Sequence, residues 1–173
     1  MALVDEFVAA LQRSGRTLFH FTDERNLPTI RAHGLLPTSQ LEAANVVAVT
    51  GGDADSLGID RHHGYDRFVR LSFCRQHPMS HVARQRGQID VVRILRVEPT
   101  VLLRAGVQMA DRVTTDNDVQ LGGPNEMINR MDLEATYKHI DWKVPANYQR
   151  RLAAEKWEAM IPERIEPELI GGL

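Results

Sequence analysis

The sequence has little of several features that would define a protein class. Its 173 residues include one cysteine, Cys74, only three lysines, and 6% aromatic residues. A single thiol cannot close an intramolecular disulfide, which favours a reducing, cytoplasmic location. No apolar run approaches the length, about 20 residues, that spans a bilayer, and Asp5 and Glu6 stand where a secretory signal carries basic residues. We therefore expect a cytoplasmic protein with no membrane partner.

The composition is that of one ordinary globular domain. Hydrophobic residues make up 43% and charged residues 25% of the chain. Because no repeat, low-complexity tract or linker divides the sequence, we expect a single domain over residues 1–173. The chain also lacks a Gly-x-Gly-x-x-Gly motif between a strand and a helix, which excludes a Rossmann dinucleotide site.

The net charge of −2 conceals an uneven distribution of charge. Residues 61–104 contain nine arginines against three acidic residues, whereas the segments before and after are acidic. Arginine binds phosphate through two parallel hydrogen bonds and stacks on bases, so this basic segment predicts a local polyanion site. A GC-rich coding bias also favours arginine over lysine, but it explains the ratio better than the clustering.

Hydrophobic periodicity and turn residues predict an α+β fold. Helical spacing occurs over residues 4–12, 26–33, 125–131 and 146–156, and in a segment that ends at Gly87. Strand patterns cover residues 17–22, 68–73, 89–97, 106–109, 111–114 and 157–162. Residues 37–65 show no strong periodicity and are expected to form a long functional loop. Because the strands lack regular βαβ spacing, we expect an antiparallel or mixed sheet.

Three sequence blocks carry the most specific motifs. The first contains His20-Phe21-Thr22, Asn26-Leu27-Pro28-Thr29-Ile30 and His33-Gly34-Leu35-Leu36. The second runs from Tyr65 to Phe73 and through His77-Pro78-Met79, and the third runs from Glu155 to Pro162 and from Ile165 to Ile170. In this order and spacing, the blocks resemble the DarT-type ADP-ribosyltransferases, toxin enzymes that transfer ADP-ribose from NAD to nucleic-acid bases.

The resemblance implies a fold, a reaction and partners. The fold would be ADP-ribosyltransferase-like, with split, mostly antiparallel β-sheets around an NAD cleft and flanking helices. The reaction would be NAD-dependent glycosyl transfer to bases of single-stranded DNA, with release of nicotinamide and no metal. A toxin or phage-defence effector of this kind is commonly restrained by an antitoxin with ADP-ribosyl hydrolase activity.

The resemblance also implies roles for individual residues. A carboxylate beside the ribose stabilises the positive charge that develops when the nicotinamide bond breaks, and Glu158 matches the family's glutamate. Glu155 is the alternative, and Arg61 is expected to assist catalysis or contact the NAD pyrophosphate or the DNA. The expected NAD-binding residues are His20, Phe21, Thr22, Asn26, Ser72 and Phe73. The expected nucleic-acid-binding residues are Arg67, Arg75, His77 and Arg84.

Three departures from the family pattern leave the acceptor open, one of them a segment between Pro37 and Tyr65 that is short for the family. Asp23 stands where members often have a second histidine, and Arg75-Gln76-His77 replaces the more usual Pro-Arg-Ser. RNA, a protein or an RNA 2′-phosphate are alternative acceptors, and a non-catalytic nucleic-acid-binding domain is the alternative from another class.

Two further sets of residues favour a structural interpretation. Cys74, His77 and His81 have metal-like spacing but no evident fourth ligand, so no metal site is expected and Cys74 has no assigned role. Trp142 and Trp157 could stack on bases, but core packing is the expected role of both.

Overall fold

A computed structural model describes residues 2–52 and 54–173, and over these residues the strands form one seven-stranded sheet. The strand order is β5-β4-β6-β2-β1-β3-β7, and every pairing is antiparallel. The strands are β1 (Leu18–Asp23), β2 (Phe68–Ser72), β3 (Val92–Val97), β4 (Gln108–Ala110), β5 (Leu121–Gly122), β6 (Glu158–Pro162) and β7 (Ile170–Gly171). The α+β class and the antiparallel sheet expected from the sequence are confirmed.

Eight α-helices accompany the sheet in the described part of the chain. They are α1 (Leu3–Arg13), α2 (Leu27–His33), α3 (Thr38–Ala43), α4 (Ala54–His63), α5 (Pro78–Gln85), α6 (Pro124–Met127), α7 (Leu133–Tyr137) and α8 (Pro145–Ala154). Short 3-10 turns cover Glu24–Asn26, Tyr65–Arg67, Pro99–Leu103, Ile128–Arg130 and Pro167–Leu169. None of the described helices combines the length and apolar character needed to cross a membrane.

Among the described residues, β1 and β2 share fewer registered residue pairs than any other two neighbouring strands of the sheet. β1 pairs with β3 over six residue pairs and β2 pairs with β6 over five. Between β1 and β2, in contrast, the described residues form one registered pair, Phe19 with Ser72. Two well-bonded halves of one continuous sheet therefore meet at a narrow junction, and residues of both β1 and β2 line a cleft.

The core lies on one face of this sheet. In β6 and the residue before it, Trp157, Ala159 and Ile161 belong to the hydrophobic core, whereas Glu158 lines the cleft. A strand over residues 157–162 has this alternation because successive side chains point to opposite faces. At the end of α2, Gly34 has φ +78°, and a Cβ atom there would lie 2.0 Å from the backbone oxygen of Ile165. Only glycine allows this close approach between α2 and the chain after β6.

Several boundaries predicted from the sequence are wrong. Residues 111–114 form no strand, and β4 pairs instead with β5 at Leu121–Gly122. The segment 37–65, expected to be a loop, contains α3 and α4. Helix α4 could not be predicted from periodicity because it buries only Asp60 among its described residues and so has no apolar stripe. Trp157 is in the core as expected, but Trp142 is 61% exposed.

Candidate active site

The cleft at the β1–β2 junction collects residues that are distant in sequence. Its walls come from β1, α2, residues 48–52, α4, β2, the start of α5 and the loop after β4, and Glu158 lies among them. Seven residues proposed for the site from the sequence line this cleft: His20, Phe21, Thr22, Asn26, Ser72, His77 and Glu158.

Glu158 is a buried carboxylate at the start of β6. It is 5% exposed, and the backbone N–H of Thr114 donates to its Oε2 at 3.2 Å. Burial raises the pKa of Glu158 to about 7, although the positive charge of Arg70 and the Thr114 N–H oppose this shift. A carboxyl group with this pKa holds and releases a proton near neutral pH, which suits general acid–base chemistry.

Arg70 on β2 carries a positive charge that acts on Glu158, and it is not among the residues expected from the sequence. Its guanidinium forms an ion pair with Asp60 of α4 through Nη2. Its Nε is buried and has no hydrogen-bond partner among the described residues. The register Ser72–Glu158 places Arg70, Ser72 and Glu158 on one face of the sheet. Alternation along a strand over residues 68–73 puts Arg70 and Ser72 on the same face, and this was the signal available in the sequence.

His77 lies beside Glu158 inside the cleft. Its Nδ1 accepts a hydrogen bond from the backbone N–H of Met79 at 3.3 Å, which caps α5. Its ring stacks on Phe21 with centroids 5.9 Å apart, and its Nε2 lies 3.4 Å from Oε1 of Glu158. Burial, together with the charge of Arg70, lowers the pKa of His77 to about 4, so the ring is neutral at pH 7. His77 is only 5% exposed and so offers little surface to a DNA strand. The nucleic-acid contact proposed for it stays a prediction.

His20 on β1 also lines the cleft as a neutral imidazole. Its Nδ1 lies 2.9 Å from the backbone oxygen of Arg70, so Nδ1 carries the hydrogen and Nε2 keeps a lone pair. Burial lowers the pKa of His20 and favours this neutral form. A lone pair on Nε2 suits a hydroxyl donor such as a ribose.

Asn26 and Ser72 support the walls of the cleft. The Asn26 amide donates to Thr22 Oγ1 at 3.0 Å and to the Val49 oxygen at 2.8 Å, and its Oδ1 accepts from the Val49 N–H at 2.8 Å. These bonds attach residues 48–52 to the first block. The Ser72 hydroxyl donates to the Cys74 oxygen at 2.8 Å. Both side chains therefore shape the cleft through contacts within the protein.

The remaining proposed residues do not line the described cleft. Phe73 packs against Phe7 in the core, with ring centroids 6.4 Å apart. Arg61 is exposed and pairs with Glu42. Glu155 pairs with Arg151 at 2.9 Å, away from the cleft. Arg67, Arg75 and Arg84 are exposed as well. The roles proposed for these residues stay predictions.

The expected absence of a metal site concerns Cys74, His77 and His81. The Cys74 thiol lies 3.8 Å from the Thr136 oxygen and 3.7 Å from the Ala154 oxygen, and His81 contacts Gln85 at 2.9 Å. In the described parts of the chain, no three histidine, cysteine or carboxylate side chains come together as a possible metal site.

Solved structures share this fold. Thermosipho africanus DarTG in complex with ADP-ribose matches with a TM-score of 0.67 and 17% identity over 90% of this chain, which spans only 42% of the DarTG chain. Thermus sp. 2.9 DarT in complex with ADP-ribosylated ssDNA matches with a TM-score of 0.60 and 18% identity, covering 88% of this chain and 78% of that chain. The same Thermus protein in complex with NAD+ gives a TM-score of 0.57 at 18% identity, with the same coverage of the two chains.

These matches define the chain as having the fold of DarT ADP-ribosyltransferases. No curated protein sequence matches it. The family model described as "ssDNA thymidine ADP-ribosyltransferase, DarT" matches residues 19–173. The chain belongs to the DarT family of NAD-dependent ADP-ribosyltransferases that modify single-stranded DNA.

Proposed function

We propose that this chain transfers ADP-ribose from NAD to a thymidine base of single-stranded DNA, with Glu158 as the catalytic carboxylate. The observation that carries the assignment to Glu158 is its burial in the cleft, 3.4 Å from Nε2 of His77 and close enough to Arg70 for that positive charge to act on it. Glu155 shares neither the burial nor the cleft, so it is the weaker candidate.

The reaction exchanges one bond at the ribose C1′ for another. The bond to nicotinamide breaks, its electron pair leaves with the nicotinamide, and positive charge develops on the sugar. Ionised Glu158 stabilises that charge. A nitrogen of the base then attacks C1′, and the proton it loses passes to Glu158, whose pKa near 7 suits a base.

The other residues of the site bind the two substrates. The Nε2 lone pair of His20 accepts a hydrogen bond from a ribose hydroxyl of NAD, while Phe21, Thr22, Asn26, Ser72 and Phe73 shape or support the pocket. The exposed arginines of the basic segment bind the DNA backbone outside the cleft, where a phosphate chain can reach them. These arginines are Arg61, Arg67, Arg75 and Arg84.

The biological part of the proposal is a toxin acting in the cytoplasm. Modified thymidine would block copying of the DNA strand, and a partner that hydrolyses the ADP-ribosyl bond would restrain the toxin. The likeness to DarTG, a chain more than twice as long as the matched part, supports such a partner. The single, buried Cys74 supports the compartment, because no disulfide has to be maintained.

Intact-mass spectrometry of oligonucleotides tests the reaction and the acceptor together. Single-stranded DNA with one thymidine, the same DNA without thymidine, and the matching RNA are incubated with the protein and NAD. We expect a mass increase of one ADP-ribose on the thymidine-containing DNA alone.

The controls are two glutamate variants. Glu158→Gln should abolish the adduct, and Glu155→Gln, three residues earlier and outside the cleft, should retain it. An adduct only on RNA would replace the acceptor, and full transfer by Glu158→Gln would remove Glu158 from catalysis. Intact NAD with unmodified oligonucleotides would refute the proposed reaction altogether.

A further inference from the structure

The proton of His77 has a defined position in the cleft. Because the Met79 N–H donates to Nδ1 at 3.3 Å, that nitrogen carries no hydrogen. The ring is buried and lies near the cation Arg70, so a second, positive proton is disfavoured. The single proton therefore resides on Nε2. Stacking on Phe21 and the α5 cap hold the plane of the ring.

This Nε2–H lies near the carboxylate of Glu158. Nε2 lies 3.4 Å from Oε1 and has no hydrogen-bond partner among the described residues. The distance exceeds that of a formed N–H···O bond, about 2.7–3.2 Å, by a few tenths of an ångström. A shift of a few tenths of an ångström in either side chain therefore brings the two atoms into hydrogen-bond range once the carboxyl group is ionised.

Building on the proposed role of Glu158, we propose that His77 is a positioning residue that donates Nε2–H to Oε1 of the ionised carboxylate. The Thr114 N–H already holds Oε2 at 3.2 Å, so the two oxygens would each have one donor. A carboxylate held at both oxygens keeps a fixed direction towards the ribose. Pre-organisation of this kind lowers the barrier without a change in substrate binding.

The charged groups around Glu158 make its titration a readout of this contact. The charges of Arg70 on β2 and of Asp60 on α4, which form an ion pair, both act on Glu158, and His77 contacts it from the start of α5. A donor to the ionised form lowers the pKa of a carboxyl group. Loss of the His77 donor should therefore raise the pKa of Glu158, while Arg70 and Asp60 remain in place.

Two substitutions separate the donor from the cap. His77→Ser keeps a side chain that caps a helix well but cannot reach Glu158, whereas His77→Gln keeps an N–H donor at similar reach and caps poorly. We expect His77→Ser to lower kcat about ten-fold with KM for NAD within about two-fold. His77→Gln should retain kcat within about three-fold of the unsubstituted protein, and thermal unfolding verifies that both variants fold.

The pKa of Glu158 is measured without substrate, by NMR titration of ¹³C-labelled glutamate carboxyls, with Glu158→Gln assigning the signal. We expect a rise of about one unit in His77→Ser and a smaller change in His77→Gln. An unchanged kcat and pKa in His77→Ser would overturn the proposal, as would a loss in His77→Gln as large as that in His77→Ser. If the unsubstituted protein transfers no ADP-ribose, the proposed function fails, and the NMR titration still decides the contact.

Discussion

The burial of Glu158 predicts an unusual dependence of stability on pH, which the Glu158→Gln variant isolates. In the unfolded chain the carboxyl group has its ordinary pKa of 4.5, whereas burial raises the pKa to about 7 in the folded protein. Between these two values the folded protein binds more protons than the unfolded chain. The free energy of unfolding therefore falls as the pH rises through this window.

The magnitude follows from the size of the pKa shift. Each pKa unit corresponds to about 1.4 kcal/mol, so a shift from 4.5 to about 7 amounts to about 3 kcal/mol. This contribution is fully present below pH 4.5 and is lost by the time the pH passes about 7. Glutamine has the same shape and no titrating proton, so the variant lacks the contribution at every pH.

Urea denaturation of both proteins in half-unit steps from pH 4 to pH 8 measures the effect. We expect the stability of the unsubstituted protein relative to Glu158→Gln to fall by about 3 kcal/mol across this range. His77 acts in the opposite direction, because its lowered pKa of about 4 adds stability as the pH rises, but it is present in both proteins. A difference that stays constant within about 1 kcal/mol would refute the buried, protonated carboxyl group.

Three further substitutions or treatments test the walls and rim of the cleft. Asn26→Ala removes the hydrogen bonds to Val49, so denaturation should show a loss of about 2 kcal/mol in stability and kinetics should show a higher KM for NAD. An unchanged KM would mean that residues 48–52 do not contact NAD. Arg61→Ala breaks an exposed pair with Glu42, so stability should change by less than about 1 kcal/mol while KM for the oligonucleotide rises; a fall in kcat alone would instead support a catalytic role. Burial raises the pKa of the Cys74 thiol to about 11, so the folded protein should resist iodoacetamide at pH 8 and react once unfolded in urea; rapid alkylation of folded protein would contradict this burial.

Features that depend on neighbouring residues could be predicted from the sequence. The strand pattern over residues 157–162 predicted β6, and alternation within it puts Glu158 on the face opposite Ala159 and Ile161, as in the structure. The same rule grouped Arg70 with Ser72 on β2. Strand patterns of this kind are readable because neighbouring residues must face opposite sides of a sheet.

Helices without an apolar stripe could not be predicted in this way. α4 buries Asp60 alone among its described residues, so its periodicity was hidden and residues 37–65 resembled a loop. Trp142 was expected in the core but is exposed. The prediction failed because residue type alone does not determine which side of the segment before α8 faces solvent.

The sequence by itself determined the family, the main strands and the identity of the candidate carboxylate, because these depend on residue types at short spacing. Only the tertiary structure decided the environment of that carboxylate. The antiparallel register of β2 with β6 places Ser72 opposite Glu158, and the chain beyond β2 then brings His77 to within 3.4 Å of it. Contacts between segments so far apart in the chain depend on strand pairing and burial, and these follow from the packing of the whole domain.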